Sequence, residues 1–413
     1  MAQGGSAQHM TRSRQGTWVL PWWMTVTVIF LLGRLVSTVM LAVLAGNQHV
    51  NPWTGPSPSL IDFSSIWDGR WYNIIAEGGY PSVLPYTEDG HVGENQWAFL
   101  PVFPSLVRLV MALTTLPWAS AAIVVSLGFG LGATLLLYAL VRRVTNPGQA
   151  LFTVILFSVA PTSALMQLAY AESLQLFLIA LALYLLIKRT YWWIVPVVVV
   201  LAFTRPGALA LTLTLGLHFV YRWWRRKKVG FPRRDRVALI VVTTVSFVAG
   251  LAWPVIADMA TNHPGAYIET ELAWRSAYVG YTGLVIFTPW VFSGQWWLVN
   301  FFAVPADVAL WGSIAVVAVL VVGFTIFLFL PATKRIGVDL RFWLASWALY
   351  LLAVFFPQSS TFRLLTPLFP ALAVLATPRS RVYRVVMVML FIVLQWFWLL
   401  IAWAVADYDW SPP

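Results

Sequence analysis

Cysteine is absent from this sequence. That excludes disulfides, thiolate nucleophiles and cysteine-ligated metals. The five histidines are scattered, with no HxxxH or HExxH spacing, so no zinc site is expected. Charge is scarce as well. Only 10% of residues are Asp, Glu, Lys or Arg, against roughly a quarter in an ordinary soluble domain. No internal repeat is evident, and no stretch has the composition of a separate soluble domain.

What fills the chain instead is apolar: 60% of its 413 residues. Uninterrupted apolar runs of about twenty residues recur along its length, each long enough to cross a ~30 Å hydrocarbon core. The candidate spans are 20–44, 120–141, 150–168, 170–187, 191–204, 206–222, 237–257, 306–330, 340–356, 364–377 and 382–405. The expectation is an all-α polytopic membrane protein with about eleven transmembrane helices. Residues 1–17 are polar and basic and are expected to form a disordered cytoplasmic N-terminus. Residues 18–413 form a single transmembrane domain, with outer loops at 45–119 and 258–305. The first apolar run lacks a small-residue cleavage site and is read as a retained span rather than a signal peptide. The 24 Trp and 14 Tyr suit interfacial aromatic belts.

The net charge of +11 could suggest nucleic acid, but its placement argues otherwise. Basic residues cluster at Arg12 and Arg14, Arg142-Arg143, Lys188-Arg189, the stretch "RWWRRKKVGFPRRDR" (222–236), Lys334-Arg335 with Arg341, and Arg379, Arg381 and Arg384. These fall on one side if 98–116, "AFLPVFPSLVRLVMALTTL", is a re-entrant or surface-lying helix rather than a span. By the positive-inside rule that side is cytoplasmic. Six basic residues remain on the other side or inside a span: Arg34, Arg70, Arg108, Arg205, Arg275 and Arg363. None is lysine. A planar guanidinium fork suits bidentate binding of phosphate or carboxylate.

The outer loop "FSSIWDGRWYNIIAEGGYP" (63–81) concentrates polar residues in an apolar chain. Residues 63–77 are read as one interfacial helix, with Asp62 or Ser64 as its cap and Gly78-Gly79 as its end. Phe63, Ile66, Trp67, Trp71 and Ile74 would form its apolar stripe, with Asp68 off the stripe, facing a cavity or pairing with Arg70. Pro101 and Pro104 break the following segment, where Arg108 should face a partner. Arg34, in the middle of the first span, should meet an acid or a ligand phosphate. Glu172 lies at the outer end of a span, as a salt-bridge partner for Arg205 or Arg34 or as a site residue. Arg363 opens a span, where it either snorkels or binds a ligand.

The blocks "WDGRWYNIIAEGGY" (67–80), "AFLPVFPSLVRLV" (98–110), "AYAESLQLFLIALALYLL" (169–186), "TRPGALAL" (204–211) and "FRLLTPLFPALAVLA" (362–376) resemble, in order, those of the PIG-V-like mannosyltransferase family. That family belongs to the GT-C superfamily of multi-span glycosyltransferases. The resemblance implies a GT-C-type bundle and an enzyme taking a sugar, commonly mannose, from a polyprenyl-phosphate donor. It places the active site on the extracytoplasmic side, with a key carboxylate in the first outer loop, matched by Asp68. Asp68 would act as the base of an inverting transfer. The donor phosphate would sit near Arg363 and Arg205, with Arg34 or Arg108 as alternates. Arg70, Tyr72, Gln96, Tyr170 and Glu172 would shape the site. No metal or cofactor is required, because no nucleotide diphosphate must be neutralised. The expected partners are membrane lipid, the lipid-linked donor and a glycolipid or envelope glycan acceptor, in a bacterial plasma membrane. Nucleic acid is not expected. A transporter of lipid-linked sugars, a non-catalytic subunit of a transferase complex and an arabinosyltransferase of the same superfamily are the rival readings.

Overall fold

A computed structural model describes residues 20–51 and 53–405. The expected N-terminal tail with Arg12 and Arg14, and the C-terminal "DYDWSPP", lie outside those residues. The described chain is all helical, apart from one isolated bridge between Tyr86 and Val92. The helices of its first half are α1 (Trp22–Gly46), α2 (Leu60–Phe63), α3 (Asp68–Gly78), α4 (Val102–Thr114), α5 (Trp118–Val144), α6 (Pro147–Ser158), α7 (Glu172–Ile187), α8 (Ile194–Ala202) and α9 (Ala208–Trp224). Next come α10 (Arg226–Val229), α11 (Arg233–Thr261), α12 (Ala266–Ala273), α13 (Ser276–Val279), α14 (Pro289–Phe302) and α15 (Ala306–Phe329). The chain closes with α16 (Pro331–Lys334), α17 (Val338–Val354), α18 (Thr361–Leu364), α19 (Ala371–Leu375) and α20 (Arg381–Ala402).

Five of these, α1, α5, α11, α15 and α20, are long and apolar enough to cross a membrane. Their outward surfaces say what surrounds them. On α15, Val308, Trp311, Val316, Val319, Leu320 and Val322 are each more than half exposed. An apolar face of that extent is stable only against lipid or another protein. The chain is an integral membrane protein. The other six apolar segments carry shorter helices. Residues 364–377 are not one helix: Pro367 and Pro370 interrupt them, leaving a 3-10 turn at Thr366–Leu368 and the five-residue α19. Likewise 150–168 stops as α-helix at Ser158 and resumes as a 3-10 turn over Ser163–Gln167, beyond Pro161. The difficult segment 98–116 holds α4, whose 13 residues extend only about 20 Å. It buries Phe103, Pro104 and Val107 and exposes Ser105, Arg108 and Leu109, so it rests against the bundle by one side.

The bundle centres on α5 and α7, with α1, α4 and α6 against α5. A second group places α9 between α11 and α17. Helix α11 carries Pro254 in its interior, which removes one ladder hydrogen bond. One turn earlier, Gly250 lets α11 close on α9, where an added Cβ would lie 3.0 Å from Leu209 and 3.4 Å from Ala208. Gly207, just before α9, has φ +137°, and a Cβ there would fall 2.5 Å from the Trp347 ring. Only glycine meets both conditions. The turn 204–207 is therefore drawn tightly over α17, and that turn carries Arg205.

Candidate active site

The expected single helix over 63–77 is two helices with a sharp reversal between them. Ser59 caps α2 by accepting from the Asp62 N–H; the helix ends after Phe63. Trp67 then sits at φ +58°, ψ −123°, a left-handed conformation costly for a bulky side chain. Packing holds it there: Trp67 is buried, and its ring lies 5.0 Å from that of Trp53. The turn is tied down further by the Ala169 N–H donating to the Ser64 carbonyl (3.0 Å). The Asp68 N–H donates to the Tyr170 hydroxyl (3.2 Å). The reversal makes Asp68 the first residue of α3. The predicted apolar stripe is divided accordingly. Phe63, Ile66 and Trp67 pack with Trp403 and Tyr170 in one cluster; Trp71 packs against another, where Tyr72, Ile75 and Ala76 are the buried residues of α3 and Ile74 takes no part.

Asp68 does not pair with Arg70. Its Oδ2 accepts a short hydrogen bond from Arg363 Nη1 and lies 3.8 Å from Arg205 Nη1. Glu172, the first residue of α7, is almost fully buried. Its Oε1 is 2.8 Å from Arg205 Nη1 and 3.5 Å from Arg363 Nε. These Glu172 contacts are ionic; their angles miss those of a hydrogen bond. Two carboxylates and two guanidiniums thus form a neutral quartet drawn from four separate stretches of chain. The Arg363 guanidinium also lies over the Tyr170 ring, 5.5 Å from its centre. Burial works to lower the pKa of both arginines; the neighbouring carboxylates outweigh it, the net shift is upward, and both stay charged.

The quartet opens on a cavity of about 410 Å³, lined by Asp68, Tyr72, Arg205, Glu271, Arg275 and Arg363. The same cavity is also walled by Leu209, Leu251, Leu284, Leu351, Val354 and Phe355. Charged groups and apolar side chains therefore share one cavity. Tyr72 is buried against Phe99 and Phe103. Burial lifts its phenol well above the usual range; Arg205 and Arg363 oppose the rise, while Glu172 and Asp68 add to it.

The other proposed site residues stand apart. Arg34 is buried in α1, but its partners are backbone carbonyls rather than an acid. It donates to Ser163 and, at 2.8 Å, to Ser158, closing the gap where α6 gives way to the 3-10 turn. Removing it leaves buried carbonyls unpaired, at about 1–3 kcal/mol each. Arg34→Ala is therefore expected to lower the melting temperature while the folded fraction keeps its apparent affinity for substrate. A selective loss of substrate binding without destabilisation would contradict this assignment. Arg108 is exposed on α4 rather than turned to a partner, and it does not line the cavity. Arg70 is exposed too. It lies over Trp53 at 5.3 Å and lines a second cavity of about 480 Å³ with Asp62, Asn73 and Trp118. Gln96 is half-buried in a 3-10 turn and does not line the first cavity.

Sequence reasoning missed Glu271, Tyr267, Tyr350 and Arg275, all of which line the main cavity. Arg275 stood among the six outer arginines but received no role. Its Nη2 donates to the Thr282 carbonyl (2.8 Å), and burial lowers its pKa. The signal that could have found this group is the density of acids and tyrosines in "AYIETELAWRSAY" (266–278).

Two helices tie the quartet to the charge map. Helix α7 runs from Glu172 to Ile187 and is followed by Lys188-Arg189. Helix α9 starts three residues after Arg205 and leads into the basic stretch 222–236. The quartet and the basic clusters therefore lie at opposite ends of the same helices.

No protein-family model and no curated protein matches the chain. Among solved structures, the apo oligosaccharyltransferase of Archaeoglobus fulgidus is similar at a TM-score of 0.49 and 15% identity, over 96% of this chain and 57% of that one. The archaeal oligosaccharyltransferase AglB of the same organism, in complex with an inhibitory peptide and a dolichol-phosphate, scores 0.40 at 14% identity, over 92% and 56%. The chain thus spans little more than half the length of the proteins it matches, and scores below 0.5 carry no argument about activity. What is established is an all-α integral membrane protein with a charged, part-buried quartet, three of whose members line a cavity that also has apolar walls.

Proposed function

We propose that this protein is a membrane glycosyltransferase of the GT-C type, which moves a sugar, with mannose the leading candidate, from a polyprenyl-phosphate donor to an extracytoplasmic lipid or glycan acceptor. The observation that carries the reading is that Asp68, Arg205 and Arg363 share one cavity with a set of apolar side chains. A prenyl-linked sugar phosphate has the matching parts: sugar, one phosphate, long hydrocarbon. Arginines bind phosphate through a fork, and the cavity's apolar side chains suit a hydrocarbon tail. The basic residues at the opposite helix ends support, by the positive-inside rule, a quartet on the outer side and a cytoplasmic N-terminus.

The transfer is a single displacement. The acceptor hydroxyl oxygen attacks the anomeric carbon while its proton passes to Asp68. The bond from that carbon to the phosphate oxygen breaks, and its electron pair leaves with the polyprenyl phosphate. Positioned general-base catalysis supplies one part of the rate. Fixed guanidiniums facing the phosphate supply another. Asp68 Oδ2 is engaged by Arg363 before substrate arrives. A donor phosphate competes for the same guanidinium, so donor binding loosens that pair and frees the carboxylate for the acceptor. Tyr72, Tyr170 and Glu172 shape and hold the site. No cofactor takes part in this scheme.

The test is direct. Membranes containing the protein are incubated with radiolabelled polyprenyl-phosphate-mannose, and in parallel with the arabinose-bearing donor. Label from mannose should appear in a new lipid or glycan product. Label from arabinose alone would move the assignment to an arabinosyltransferase. Label left in the donor in both arms would refute the transferase reading.

A further inference from the structure

Glu271 is the cavity acid that the scheme above leaves unused. It lies on α12, in the second outer loop, outside the long apolar helices. Tyr267 is one turn earlier, so the two side chains leave α12 on the same face. The two groups lie close enough to influence each other's ionisation. Both line the cavity that Asp68 and the arginines line. Asp68 and Glu172 are each matched to guanidiniums, whereas among the described residues no ion pair ties Glu271 to a basic side chain. A half-buried carboxylate without a cation costs stability. Burial pushes its pKa up to about 7, against smaller lowering by Tyr267 and Arg205 and raising by Asp68. Such a group persists where it serves a function at the expense of stability.

Around it stand aromatic rings that also line the cavity: Trp274, Trp347 and Tyr350. A carboxylate makes charge-assisted hydrogen bonds to hydroxyl groups. Mostly apolar walls with a few placed polar groups are what a small-ligand site requires. We infer that Glu271, beside Tyr267 on the same face of α12, hydrogen-bonds the ring hydroxyls of a sugar in this cavity and so selects which sugar enters it. The inference rests on the transferase reading. Its chemistry is common to the donor's sugar and the acceptor's, and the test separates them.

Wild type and Glu271→Gln, purified in lipid nanodiscs, are compared for binding of polyprenyl-phosphate-mannose and of sugar-free polyprenyl phosphate. Transfer to the membrane acceptor is measured in parallel. If Glu271 reads the donor, wild type prefers the sugar-bearing lipid at least tenfold and the variant loses that preference. If it reads the acceptor, donor binding is unchanged and transfer falls at least tenfold through the acceptor's KM. Either result supports the inference. A variant within twofold of wild type in both measurements overturns it. A wild type that binds neither lipid and transfers nothing overturns the transferase reading instead.

The pH profile separates a sugar contact from mere packing. The groups facing Glu271 are Asp68, Arg205, Tyr267 and Tyr350. Glu271 is raised to about 7, so the sugar-dependent measure should strengthen as pH rises through that value in wild type and lose that step in the variant. The stability sign is opposite. A carboxyl whose folded pKa is raised binds more protons folded than unfolded, so its contribution is lost as pH rises from 4.5 towards 7. Glu271→Gln should therefore melt no lower than wild type at pH 8. Should that variant fail to fold, Tyr267→Phe decides by the same two measurements.

Discussion

Asp68→Asn is expected to lower sugar transfer by about 10³-fold, within the range for loss of a positioned general base, while the protein still folds and inserts. Asparagine keeps the size and the hydrogen-bonding reach of the side chain but cannot hold the acceptor's proton. The fold should tolerate it. The Asp68 N–H bond to Tyr170 is a backbone contact and survives. Arg363 and Arg205 lose one carboxylate but keep Glu172. Melting temperature and retention time on gel filtration should stay near wild type, and donor binding should hold or tighten, because Arg363 no longer has Asp68 as a rival ligand. Transfer within tenfold of wild type would remove Asp68 from the chemistry.

Arg205→Ala should be the most destabilising change in the site. It takes the 2.8 Å partner from Glu172, whose side chain is 1% exposed. Leaving one member of a buried ion pair wholly uncompensated costs about 3–5 kcal/mol; Arg363 Nε, 3.5 Å from Glu172, makes that figure an upper bound here. A large fall in melting temperature and in yield is the expected result. Arg205→Lys separates stability from binding. The ammonium keeps the charge beside Glu172 but loses the fork that grips phosphate. It should fold almost as well as wild type, yet bind polyprenyl phosphate roughly tenfold more weakly, the scale of one charged hydrogen bond. Unchanged lipid affinity in a folded lysine variant would mean that Arg205 serves Glu172 alone.

Much of this arrangement could be read from the residues because charge is rare in the chain. Asp68, Glu172, Arg205 and Arg363 sit in stretches where a charged group is costly, and the structure brings all four into contact. The long spans were legible for the complementary reason: α1, α5, α11, α15 and α20 are continuous apolar runs. What failed to show was set by backbone geometry. Nothing in "SSIWDG" signals that Trp67 adopts a positive φ, because packing against Trp53 and the turn at Ala169 imposes it from outside the segment. Arg34 looked like a ligand-binding arginine, since the break between α6 and the 3-10 turn, which leaves carbonyls for it to cap, belongs to another part of the chain. Pro367 and Pro370 did carry a readable warning that 364–377 is no single helix. Glu271 was hidden by company: Asp258, Glu269 and Arg275 share its loop, and no periodicity marks which of them turns inward.

The stereochemistry of the product tests the central claim most directly. With polyprenyl-phosphate-mannose of known anomeric configuration as donor, the labelled product is digested with α- and β-specific mannosidases. A single displacement driven by Asp68 gives the anomer opposite to the donor's. A product that keeps the donor's configuration would require a second nucleophile on the protein and would contradict the account.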